Sequence, residues 1–181
     1  MKNLSILFVA FLLTVSMTAQ ESGSANINVF GGYSFDDSVS MELGTAKFSG
    51  GVQWGIGVEY FASKNNSVEL KYLRSFTTMS FDPIVGASGE SDGVMDYYLL
   101  GGNHYFETSN AKLLPYIGGS IGFGVINPDN RGSDTNFAWG LAAGLKIKTS
   151  SAISVNLQGY LQSMTAAAGQ DVYYTWYGLL L

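Results

Sequence analysis

From Ala25 onward, apolar and polar residues alternate in runs separated by polar turns. A period of two is the spacing of a β-strand with one face in each of two environments. In the first run Ala25, Ile27, Val29, Gly31, Tyr33 and Phe35 share one face, against Asn26, Asn28, Phe30, Gly32 and Ser34. The second sets Val52, Trp54, Ile56, Val58 and Tyr60 against Gln53, Gly55, Gly57, Glu59 and Phe61. The third sets Val68, Leu70, Tyr72 and Phe76 against Glu69, Lys71, Leu73 and Ser75, with Arg74 a misfit on the apolar face. The fifth sets Ile117, Ile121, Phe123 and Val125 against Gly118, Ser120, Gly122 and Gly124. The sixth sets Phe137, Trp139, Leu141, Leu145 and Ile147 against Gly140, Ala142, Gly144, Lys146 and Lys148. The seventh sets Ile153, Val155, Leu157 and Leu161 against Ser154, Asn156, Gln158 and Gln162, and the last runs from Val172 to Leu181. The fourth, about Val94 to Phe106, is the least regular. Its apolar face is expected to hold Met95, Tyr97, Leu99, Gly101 and Tyr105, which brings Asn103 with them and leaves His104 on the other side.

Eight runs of about 9 to 13 residues match the length of tilted strands that cross a bilayer. The connections alternate in length. Ser63–Asn66, Glu107–Lys112 and Thr149–Ala152 are short, whereas Asp36–Gly50, Thr78–Gly93, Asn127–Thr135 and Met164–Asp171 are long. The pattern predicts an all-β, eight-stranded antiparallel up-and-down transmembrane β-barrel, with both termini on the short-turn side. Tyr33, Phe35, Trp54, Phe76, Tyr97, Phe123, Phe137 and Trp139 fall at the loop ends of their strands, and Tyr60 and Tyr105 at the turn ends. These are expected to form interfacial girdles. The rival is a secreted soluble barrel with its apolar face inward. It would turn Gly118, Ser120, Gly122 and Gly124 to water with almost no charge beside them.

Composition favours the membrane reading. Charged residues make up 13% of the chain, about half the roughly 25% usual in soluble domains. Aromatics reach 14%, and there is no cysteine. Disulfides, thiolate metal sites and thiol nucleophiles are therefore excluded. Residues 1–20 read as a secretory signal peptide. Lys2 is followed by an apolar run from Leu4 to Val15 and then by small residues up to Ala19. That run is too short for a spanning helix of about 20 residues. Residues 21–181 are then the exported barrel domain.

Gly31-Gly32-Tyr33, Gly55-Ile56-Gly57-Val58-Glu59-Tyr60 and Leu114-Pro115-Tyr116-Ile117-Gly118-Gly119 carry a resemblance. The chain resembles the small outer-membrane β-barrel family often labelled porin-like, similar in build to OmpA- and OmpX-type barrels and common in Bacteroidetes. The resemblance covers the whole mature chain as a pattern, without a diagnostic motif. It implies the cell outer membrane as location. The implied partners are outer-membrane lipid, lipopolysaccharide and the barrel insertion machinery. Members usually end in an aromatic residue, whereas this chain ends in Leu181 with Tyr177 nearby.

Candidate chemistry falls into two groups. Glu59, Glu69, Lys71, His104, Lys146 and Lys148 are expected to point inward near the turn ends of their strands. Such charges are expected to pair into a plug, since an isolated buried ion is expensive; a selectivity or proton-relay site is the alternative. Above them, Gly55, Gly57, Gly118, Ser120, Gly122, Gly124, Gly140, Ala142 and Gly144 line the interior, with Tyr98, Tyr160, Tyr174 and Trp176 available to fill it. The long connections hold nine acids, Asp36, Asp37, Glu42, Asp82, Glu90, Asp92, Asp129, Asp134 and Asp171, against Lys47 and Arg131. Asp36, Asp37, Glu42, Asp129 and Asp134 are candidate contacts for divalent cations, with solvated loops as the plainer reading. The same negative field disfavours nucleic acid. No cofactor is expected.

Lipid-modifying barrels use a Ser/His pair facing the outer leaflet. The single histidine, His104, belongs to the opposite end. The sequence therefore points to a non-enzymatic barrel with a structural or surface-interaction role. A narrow porin-like channel is the alternative, and a lipid-modifying enzyme the more remote one.

Overall fold

The computed structural model describes residues 22–41, 44–83, 89–129, 132–150, 153–167 and 171–180. The expected signal peptide, Glu42 and Arg131 lie outside the described residues, as do the side chains of Asp82, Asp171, Tyr174 and Trp176. The strands are β1 (Ala25–Ser34), β2 (Asp37–Met41), β3 (Gly44–Phe48), β4 (Gly51–Phe61), β5 (Asn66–Pro83), β6 (Gly89–Tyr105), β7 (Leu113–Pro128), β8 (Asp134–Lys148), β9 (Ser154–Ala167) and β10 (Asp171–Leu180).

Eight of these close a ring in which every pairing is antiparallel. The order is β1–β4–β5–β6–β7–β8–β9–β10, and β10 returns to β1 through Gly32↔Leu180, Tyr33↔Leu179 and Ser34↔Gly178. The remaining two are continuations of existing staves. The β1–β4 ladder runs to Ser34↔Gly51 and resumes as Asp37↔Phe48 in β2–β3. Between them Asp36 Oδ1 accepts the Gly50 N–H at 2.5 Å, and Ser49 bonds sideways to Thr78 and Thr77. A Cβ on Gly50 would lie 2.4 Å from the Ser34 carbonyl oxygen, so the close approach there requires glycine.

The connection expected over Asp36–Gly50 is thus largely a hairpin that prolongs the first two staves. Strands β5 to β8 likewise run 18, 17, 16 and 15 residues. A bilayer needs only about 9–11. The surplus projects at the loop end, so the connections expected over Asp36–Gly50 and Thr78–Gly93 are mostly paired strand. Ser38-Val39-Ser40-Met41 does alternate, but β2, a run of 5 residues, is too short to be announced as a strand by periodicity.

Burial turns the barrel inside out relative to a soluble one. On the outer face Leu70 is 63% exposed, whereas inward-facing Lys146 is 2% exposed. Apolar residues of β1, β4, β5, β7, β8 and β9 face outward as their alternation predicts.

Strand β6 reverses the expectation. Met95, Tyr97, Leu99 and Tyr105 are buried inside, and Tyr98, Leu100 and His104 face out. Register forces this. Tyr98 pairs with outward Tyr72 on one side and outward Phe123 on the other, so every second residue must turn inward. Tyr97 and Tyr105 therefore leave the girdles. Tyr98 takes its place in a membrane-facing file of rings, Trp54–Tyr72–Tyr98–Phe123, with centroids 5.8, 5.2 and 5.2 Å apart.

Candidate functional site: the barrel interior

Four of the six charges expected inside meet in one network. Glu59 and Glu69 stand directly opposite each other on β4 and β5, a placement that sets like charges roughly 5 Å apart at Cβ. Each acid has its own cation. Lys146 Nζ lies 3.2 Å from Glu59 and Lys71 Nζ 3.0 Å from Glu69. The Asn28 amide bridges the pair, donating to Glu69 at 2.7 Å and to Glu59 at 3.4 Å. Glu59 also accepts from Ser67 and Tyr105 hydroxyls, both at 2.6 Å, and from the Asn103 amide at 3.2 Å. Lys146 lies over the Phe61 and Tyr105 rings and Lys71 over Phe30. Two acids, two bases and a full set of donors make the buried charges affordable.

The other two do not join. His104 faces out at the turn end, where Nδ1 meets Asn66 Oδ1 at 2.8 Å and its ring stacks edge-on against Phe106. Its exclusion follows from the reversed face of β6. Lys148 shares the inward face of Lys146 but sits two residues nearer the mouth, on the wall of a separate cavity. Sequence reasoning missed Asn28, Ser67, Asn103 and Tyr105 as members. Asn103 carried the one visible signal, as the polar misfit on a face assigned to lipid.

Above the network the lumen is filled by Phe30, Leu73, Met95, Tyr97, Leu99, Tyr160, Met164 and Leu180, all buried. The small residues of the inner wall seat these side chains, so the interior is filled as the sequence suggests. A Cβ on Gly124 would lie 2.5 Å from Met164 Sδ and 3.3 Å from the Tyr97 ring. Below the network Phe61, Tyr105, Leu114 and Tyr116 form a second buried cluster. Between the two lie a pair of cavities of about 20 Å³ each that share Lys71, Leu99, Ser120, Gly140 and Ala142 on their walls. Each has room for about one water. Gln162, 3% exposed, borders one of them with both ends of its amide unpartnered among the described residues.

On the membrane-facing side, Arg74 is neutralised in place. Its Nε and Nη2 bind Asp96 Oδ1 and Oδ2 at 2.7 and 2.8 Å, and Asp96 also accepts from the Tyr72 hydroxyl at 2.6 Å. The fork-to-fork pair sits among the loop-end aromatics.

The candidate loop acids make local bonds. Asp36 holds Gly50, Asp37 accepts from the Ser38 N–H, Asp134 accepts from Asn136, and the Asp129 N–H donates to the Asp92 carbonyl. Among the described residues no three His, Asp or Glu side chains converge as a metal site would require.

Comparison with known proteins agrees with this architecture. The family model described as "Outer membrane protein beta-barrel domain" matches residues 7–175. The outer membrane protein OprG from Pseudomonas aeruginosa is similar in fold. It is 14% identical, with 90% of this chain and 98% of that one covered and a TM-score of 0.61. The N-terminal β-barrel domain of Pseudomonas aeruginosa OprF is 14% identical, with 88% and 98% covered and a TM-score of 0.46. No curated protein matches the chain. Closed ring, outward apolar belt and family match together identify the chain as a member of the outer-membrane β-barrel family, placed in the outer membrane.

Proposed function

We propose that the protein is a sealed, non-enzymatic outer-membrane barrel with a structural or surface-interaction role, its short turns in the periplasm and its hairpins outside. The filled lumen carries this reading. Side chains occupy the interior from the Phe61–Tyr116 cluster, through the Glu59 network, to the apolar layer around Met95 and Met164. The projecting hairpins then form the working surface, with their acids available to divalent cations and to lipopolysaccharide. His104 stands at the turn end, away from outer-leaflet substrates.

A narrow channel is the second reading, favoured by the two water-sized cavities beside Lys71 and Gln162. Liposome swelling separates the two. Vesicles carrying the purified barrel in isosmotic arabinose should shrink and swell no faster than protein-free vesicles. A swelling rate that falls with solute size would favour the channel.

A further inference from the structure

At the turn end the barrel mouth holds a cavity of about 140 Å³. Lys64 and Glu107 from two neighbouring turns, Lys148 from the end of β8, and a floor of Tyr105 and Leu114 form its wall. Three ammonium groups gather here, and two are already matched. Lys146, just behind, belongs to Glu59, and Lys64 pairs with Glu107 at 2.8 Å. That hydrogen bond and the Lys64 charge hold the Glu107 carboxyl below the usual carboxylate range, so it stays ionised and committed to Lys64.

Lys148 is the exception. No carboxylate lies within ion-pair distance of it among the described residues, Lys64 shares its cavity wall, and Lys146 lies two residues away on the same strand face. A half-buried cation pressed by like charges and facing a concave wall concentrates positive potential in that concavity. Counter-charge from solution relieves it.

We propose that this mouth cavity is a binding site for a small oxyanion, carboxylate or phosphate, held by Lys148 with Lys64 as second donor. The apolar floor of Tyr105 and Leu114 favours an anion with a short carbon body over a fully hydrated one. The site is independent of whether the lumen conducts.

The test is a titration of ¹⁵N-labelled barrel in nonionic detergent with sodium phosphate and, separately, sodium acetate at constant ionic strength. Saturable shifts should appear at Lys148, Lys64 and Asn65. Saturation by one anion alone assigns the ligand to that class, and by both assigns a general oxyanion site. A third arm adds phosphatidylglycerol to the micelles; matching shifts there identify a lipid headgroup as the phosphate source. Lys148→Gln should weaken the response at least tenfold, and Lys148→Arg should retain it. Glu107→Gln should tighten it, because it frees Lys64. Shifts that never saturate, that are equally large at Lys47 on the opposite end, or that survive Lys148→Gln would overturn the proposal.

Discussion

Glu59 and Lys146 lie 87 residues apart in the chain and 3.2 Å apart in the barrel, both almost completely buried. Removing one partner strands the other. We expect Lys146→Met to cost about 3–5 kcal/mol, the usual penalty for an uncompensated buried charge. Glu59→Gln combined with Lys146→Met should cost less than the sum of the single changes. Urea unfolding in phospholipid vesicles measures this; additive losses would mean that the two charges do not depend on each other.

Gly124 and Met164 form a matched seat in the upper lumen. A Cβ at Gly124 meets the Met164 sulfur at 2.5 Å, so Gly124→Ala must move the methionine. We expect a loss of about 1–3 kcal/mol from overpacking. Because Met164→Ala makes a cavity of its own, the informative quantity is the coupling. Gly124→Ala should be tolerated better in the Met164→Ala background than in the native barrel, and the same unfolding assay reads it.

Much of this arrangement is legible in the sequence, and the exceptions have physical causes. The faces of β1 and β4 are unambiguous because Asn26, Asn28, Gln53 and Glu59 alternate with Ile27, Val29, Val52 and Val58. Strand β6 reads Tyr97-Tyr98-Leu99-Leu100, apolar on both sides, so periodicity cannot choose between them. Only register against Tyr72 and Phe123 does. The bridging role of Asn28 depends on how β1, β4 and β5 align across the barrel, a non-local fact. Arg74 looked like a misfit because its partner Asp96 lies in the next strand, at the directly paired position.

The Arg74–Asp96 pair makes its own prediction. On a membrane-facing surface, a single neutralisation leaves one charge among aromatic rings. We expect Asp96→Leu alone to destabilise the barrel more than Arg74→Leu with Asp96→Leu together, since replacing both members of an ion pair with apolar residues is often neutral. Heat-modifiable migration on SDS gels, followed against temperature, ranks the variants. An equal or lower transition for the double variant would contradict the pairing.

The sealed lumen is tested most directly by single-channel recording of the purified protein in a planar lipid bilayer. We expect a silent membrane, with insertion verified independently by protease protection. Steady, reproducible openings from the native protein would contradict a lumen closed by the Glu59 network and the Met95–Met164 layer.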